Sequence, residues 1–206
     1  MVNAGSSPSL SAQVRARGVV AERALIDAIA GEPVRGSWWG HRAGQAIFQA
    51  LEQLRDDPEV FLCKLLDGKQ TYVHRRLWPA LLRVQSEAAL WPPPSAAARR
   101  LLARVEREAS VQATGRLRLE LEQTLRVVAR SEHTASGAHA VVLTPFRRHF
   151  PEAVRAAARR MSLADAVSAL AEAGASFPAP STGAAAAAVR TSARRVPGTG
   201  RRSTRR

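Results

Sequence analysis

The run EVFLCKLLDGKQTYVHRRLW, residues 59–78, constrains the fold more tightly than any other stretch of the chain. Two strand-like segments, 60–66 and 69–74, flank Asp67-Gly68. A two-residue loop demands positive φ at both central positions, and Asp and Gly tolerate it, so the spacing predicts a type I′ β-hairpin. The simplest register places Leu66 opposite Lys69, Lys64 opposite Thr71 and Leu62 opposite Val73 on one face. The other face then holds Leu65 with Gln70, Cys63 with Tyr72, and Phe61 with His74. The second face, richer in aromatic and sulfur groups, is expected to pack on helices. The face with Lys64, Lys69 and Thr71 is expected to meet solvent near the turn.

Helical patterns surround this hairpin. Residues 1–13 are rich in Ser, Gly and Pro and read as a disordered lead-in. Val19, Val20, Leu25, Ile26 and Ile29 form a stripe ending near Ala30, where Gly31 and Pro33 stop a first helix. A loop over 31–41 carries Trp38-Trp39. A second helix, about 42–54, puts Ile47, Phe48, Leu51 and Leu54 on one face and Gln45, Gln49, Glu52, Gln53 and Arg55 on the other. Asp56-Asp57-Pro58 ends it. After the hairpin, 77–90 is helical up to Trp91-Pro92-Pro93-Pro94. Ser95 caps a helix over 96–110. The alternation in RLRLELE favours a strand at the start of 117–128, although a helix fits that segment as well. Residues 131–137 read as a polar connection and 138–143 as a strand. Pro151 opens a basic helix, and Ser162 with Asp165 resembles a capping box before a helix ending at Gly174. The expected organisation is a disordered 1–13, one compact domain over 14–175 and a basic tail over 176–206. Its class is α+β, mostly helical: a winged-helix-like helix-loop-helix plus β-hairpin core with additional C-terminal helices.

The charge balance needs to be located before it is used. Of a formal net charge of +14, seven arginines lie beyond Ser181, with no acid among them. The other +7 is spread over the rest of the chain (14 − 7). Disordered arginine clusters bind phosphates with little sequence preference, and a solubilising tail is the alternative reading. Cys63 is the single cysteine, which precludes an internal disulfide and suits a small core residue. The N-terminus lacks a secretory core segment, and no run of about 18 apolar residues exists. A cytoplasmic protein that makes no use of a membrane is expected.

Several constellations carry chemistry. Helix, loop, helix, hairpin is the order of a winged helix, with the second helix in the major groove. Lys64 and Lys69 on the wing, and Arg75 and Arg76 at its exit, would then touch phosphate. Glutamines read adenine edges, but the acidic residues around the second helix oppose phosphate binding. Trp38 and Trp39 are suited to stacking on bases, yet adjacent tryptophans at a helix start more often plug a core, with one buried and one half-exposed. His41 and His74 have no third ligand nearby, so they read as hydrogen-bonded histidines, and neither a metal nor a cofactor is expected. Glu132, His133 and His139 offer a carboxylate and two imidazoles in one loop, the residue types that acid-base catalysis needs.

GSWWGH (36–41), CKLLDGKQTYVHRRLWPALLR (63–83) and EHTASGAH (132–139) together resemble a widespread group of bacterial proteins without an established activity. The resemblance covers about 35–175 and implies that these three stretches belong to one domain. The leading expectation is a cytoplasmic, nucleic-acid-associated protein, DNA-binding and non-enzymatic. The alternatives are a small enzyme using Glu132, His133 and His139 with His41 or His74, and a protein-interaction module.

Overall fold

The computed structural model describes residues 9–133, 139–175 and 177. Its first helix, α1 (Leu10–Arg17), starts inside the predicted lead-in. The Ser9 hydroxyl accepts the Ala12 N–H at 3.2 Å and caps it, a role serine fills because it satisfies one of the free amides of the first turn. Gly18, at φ +84°, ends α1 and turns the chain into strand β1 (Val19–Ala21). The single helix expected over about 14–30 is therefore divided. Val19 and Val20 are β-branched and pair with Val73 and Tyr72, and helical spacing begins only in α2 (Glu22–Ala30). A short 3₁₀ turn, Trp38–Gly40, precedes α3 (Gly44–Arg55), which buries Ile47, Leu51 and Leu54. The hairpin follows as β2 (Val60–Leu66) and β3 (Lys69–His74), and the sheet is antiparallel in the order β1-β3-β2.

The turn is as the sequence predicts, with Asp67 at φ 49° and Gly68 at φ 67°, but the register is not. Leu66 pairs with Lys69, and then a bulge between Cys63 and Leu66 shifts the ladder by one residue. Cys63 faces Thr71, Leu62 faces Tyr72, Phe61 faces Val73 and Val60 faces His74. The shift has a local cause. Thr71 is fully buried; its hydroxyl donates to the Lys69 carbonyl at 2.9 Å and accepts the Leu66 N–H at 3.1 Å. Thr71 thus closes the bulge from inside and does not face solvent. One residue of slip also exchanges faces, so the single aromatic face is divided between two cores.

The remainder of the chain alternates short helices with a second sheet. A 3₁₀ turn (Arg75–Leu77) leads into α4 (Trp78–Gln85). Ser95 caps α5 (Ala96–Glu108), accepting the Ala98 N–H at 3.2 Å. Strand β4 (Val111–Gln112) precedes α6 (Gly115–Gln123), which takes the helical option for RLRLELE. Leu117 and Leu121 lie four residues apart, so a helix buries Leu121 completely while leaving Leu119 at 37% exposure. Strands β5 (Val127–His133) and β6 (His139–Pro145) form an antiparallel pair with β4 on the far side of β6. Strand β5 therefore occupies part of the polar connection expected over 131–137. After a 3₁₀ turn (Phe146–His149) come α7 (Glu152–Arg160) and α8 (Leu163–Glu172). The Ser162 hydroxyl caps α8 by accepting the Asp165 N–H at 3.1 Å, as its sequence pattern implies.

The first sheet is the middle layer of the molecule. Val20 and Tyr72 pack with Val14, Leu25, Ile47 and Leu51 of α1, α2 and α3. On the opposite face Phe61, Cys63, Leu65 and Val73 join Leu81 of α4, Phe146, Phe150 and Leu170 of α8. Strand β3 is buried on both sides, so β-branched and aromatic residues run without a polar break from Thr71 to Val73. A third cluster, Ala98, Val105, Val111, Leu121, Val127 and Leu143, fastens α5 and α6 to the second sheet.

Candidate nucleic-acid interface

Helix α3 turns Ile47, Leu51 and Leu54 inward, and this fixes what it presents outward. Gln45, Gln49 and Gln53 recur at i, i+4 and i+8, and all three are exposed. Residues four apart share one face of a helix, so the glutamines form a single outward row. The ends of the helix are basic but paired within the chain. Arg42 lies 2.9 Å from Glu32. Arg55 pairs with Glu52 and, at 3.5 Å, with Glu22. His41 sits 3.3 Å from Glu32 through Nε2, and its Nδ1 accepts the Ala43 N–H at 3.2 Å.

The Trp38–Gly40 turn leans over the start of α3. Gly44 makes this approach possible, because a β-carbon there would lie 3.1 Å from the carbonyl oxygens of both Trp38 and Trp39. Trp38 packs partly on the N-terminal core. Trp39 does not plug the core, as adjacent tryptophans at a helix start would suggest. It is 69% exposed, stacks on Trp38 with centroids 4.1 Å apart and planes at 22°, and meets Phe48 at 5.8 Å. Phe48, assigned by spacing to the apolar face, is 38% exposed. Ile47 takes the central inward position, and its neighbour, about 100° around the helix, falls at the edge of the stripe.

The four basic residues read as phosphate contacts do not share one surface. Lys64 and Lys69 stand near the hairpin tip, while Arg75 and Arg76 follow the opposite end of β3, a strand of six residues that spans on the order of 20 Å. The tip also packs on α6: a β-carbon on Gly68 would meet the Gln123 side chain at 2.8 Å. Lys64 is half-buried near Glu122, whose carboxyl is pushed above its ordinary value by burial, against the pull of Lys64 and Arg118. Lys69 is exposed. Arg75 lies 3.3 Å from Glu59. The Arg76 guanidinium donates to the Ala16 carbonyl at 3.1 Å and lines an open cleft of about 620 Å³ between Arg17, Val19 and the end of α8.

His74 is buried at the base of the hairpin. Its Nδ1 accepts the Arg76 N–H at 3.4 Å, and its Nε2 lies 3.7 Å from Glu59. Glu59 is held below the usual carboxylate range first by its hydrogen bond from Arg75 and then by Arg15, which sits 2.5 Å away. His41 and His74 therefore have separate carboxylate partners, Glu32 and Glu59. Glu132 is exposed on β5 in the second sheet. The side chains of its proposed companions, His133 and His139, and residues 134–138 between them lie outside the described residues. Among the described residues, no group of three His, Cys, Asp or Glu side chains is placed to hold a metal ion, and no helix is long and apolar enough to cross a membrane.

Comparison of the chain with protein-family models, with curated proteins and with solved structures returns no match.

Proposed function

We propose that the N-terminal elements through β3 act as a winged-helix-like module that lays α3 in the groove of duplex DNA, and that the chain is a nucleic-acid-associated protein without a catalytic step of its own. The observation that carries this reading is the exposed row Gln45, Gln49 and Gln53 on α3. The order helix, strand, helix, helix, strand, strand, with the sheet ordered β1-β3-β2, is compatible with a winged helix, in which α3 would be the recognition helix. A glutamine amide carries a donor and an acceptor side by side and so matches the N6 and N7 edge of adenine. Residues four apart on a helix rise about 6 Å, close to two base-pair steps of about 3.4 Å each. Phosphate contact falls first to Lys69, exposed at the hairpin tip. Arg42, Lys64, Arg75 and Arg76 have intramolecular partners and contribute less.

The test is fluorescence anisotropy of the full chain at low salt on A·T-rich and G·C-rich duplexes. The wild type is expected to prefer the A·T-rich duplex. Gln45→Ala, Gln49→Ala and Gln53→Ala combined should remove that preference, a change of roughly tenfold or more given about 1–3 kcal/mol for each good bidentate pair. Absence of binding to any duplex or single strand at low salt would end the reading.

A further inference from the structure

We infer that the Trp38–Gly40 turn is a stacking platform for an unpaired base of DNA, at the point where a duplex seated on α3 opens into a single strand. The inference rests on the reading of α3 as the duplex-binding helix. Of the three large hydrophobic side chains exposed among the described residues, two, Trp39 and Phe48, touch each other. Trp39 is supported from behind: Trp38 lies stacked against it at 4.1 Å, Trp38 itself packs on the core, and the backbone of both sits against Gly44. With Trp38 stacked on one face and Phe48 beside it, Trp39 still keeps 69% of its surface exposed.

Size and charge select the occupant. Two aromatic side chains offer at most about 500 Å² between them, and a standard protein interface needs about 800 Å² from each partner. One or two nucleobases need no more than a ring face, and every base has one. The surroundings suit a phosphate backbone. Arg35 is exposed in the preceding loop; Arg42 is 79% exposed while paired with Glu32; and Arg23, paired with Asp27, donates to the Gly36 carbonyl at 3.2 Å at the edge of the same loop. The platform and the glutamine row share α3, since Phe48 lies between Gln45 and Gln49. A duplex lying along the row would therefore end or open at the tryptophans.

The experiment compares one short duplex, blunt or with a short single-stranded overhang, by anisotropy of the full chain at low salt. The wild type is expected to bind the tailed duplex roughly tenfold more tightly, the scale of one stacked base, with quenching of tryptophan emission. Trp39→Ala should lose that advantage and keep its affinity for the blunt duplex, and Trp39→Phe should retain part of it. Circular dichroism of each variant checks its fold. Equal affinity of the wild type for both duplexes overturns the inference, as does an overhang preference that survives in Trp39→Ala. So does self-association of the wild type that Trp39→Ala abolishes, since the patch would then be covered by a second copy. If the glutamine variants weaken blunt-duplex binding while the overhang adds nothing, only the stacking platform falls. If neither duplex binds, the reading of α3 falls with it.

Discussion

A methyl group on Gly18 would lie 2.8 Å from Leu77 Cδ1, 2.9 Å from Arg76 Nη2 and 3.3 Å from Ala173 Cβ, at a residue whose φ of +84° already disfavours an L side chain. Three elements meet over this one absent side chain: the end of α1, the 3₁₀ turn before α4 and the end of α8. Gly31, also at positive φ, has nothing within 4 Å of the same position. The pair separates backbone strain from close packing. Gly31→Ala is expected to cost about 1 kcal/mol, and Gly18→Ala about 2–3 kcal/mol, because the clash adds to the unfavourable φ. Urea titrations followed by circular dichroism measure both. Equal costs for the two variants would show that Leu77 and Arg76 move aside freely. Thr71 illustrates the converse, in which one hydroxyl determines structure at a distance: by bonding Lys69 and Leu66 from inside the hairpin, it sets which residues of β2 face which core.

At the scale of elements, the 3₁₀ turn Phe146–His149 joins the second sheet to the aromatic cluster under the first. His149 lies 2.7 Å from the Thr144 hydroxyl and 5.8 Å from the Phe61 ring. Burial, with Arg130 adding repulsion, lowers its pKa from the ordinary 6.5 to about 4. Between those values the unfolded chain binds a proton that the folded chain does not, so stability rises with pH across this window and is lost as pH falls from about 6.5 to about 4. Glu59, Glu108 and Glu152 are held low by arginines, and their contribution is lost at lower pH, as each protonates below the ordinary carboxylate range. His149→Phe is expected to flatten the upper part of the acid limb in urea midpoints measured from pH 7 to pH 4. An unchanged limb would mean that His149 is free to take up its proton in the folded state.

The elements also show where the sequence could be read. Signals confined to a few neighbouring residues were legible: Asp67-Gly68, the Ser95 cap, the Ser162 and Asp165 box, Pro151 and the spacing of Ile47, Leu51 and Leu54. What depended on distant partners was not. Val19 and Val20 fit a helical stripe until β3 is there to pair with them. RLRLELE alternates like a strand, and only the cluster with Val105, Val127 and Leu143 makes the four-residue spacing of Leu117 and Leu121 decisive. The bulge depends on a single threonine hydroxyl that no pattern reports. The candidate surface followed the same rule. The glutamine row could be counted from the sequence, whereas the 69% exposure of Trp39 follows from Gly44 bringing the turn over α3, and two adjacent tryptophans read alone give one buried ring and one half-exposed.

Across the whole molecule the decisive quantity is where the positive charge lies. Several of the described arginines share acidic partners, two to one glutamate: Arg15 and Arg75 on Glu59, Arg104 and Arg107 on Glu108, and Arg155 and Arg159 on Glu152, so each site keeps one positive charge. The stretch after Ser181 has seven arginines and no acid, half of the formal +14. On the proposed function this divides the work. The tail supplies affinity without sequence preference through counterion release, and α3 supplies discrimination at a smaller electrostatic gain. Ending the chain after residue 178 should therefore weaken binding to every duplex. It should also reduce the slope of log affinity against log salt by up to about 6, at roughly 0.9 for each phosphate neutralised. The preference for the A·T-rich duplex, measured as a ratio of affinities, should stay the same, because neither Gln45, Gln49 and Gln53 nor their helix is altered. Salt titrations of the full and shortened chains on both duplexes give the two quantities separately. A ratio that collapses with the tail would move the discrimination from α3 to the arginines; a slope that does not change would mean that the tail makes no contact with phosphate.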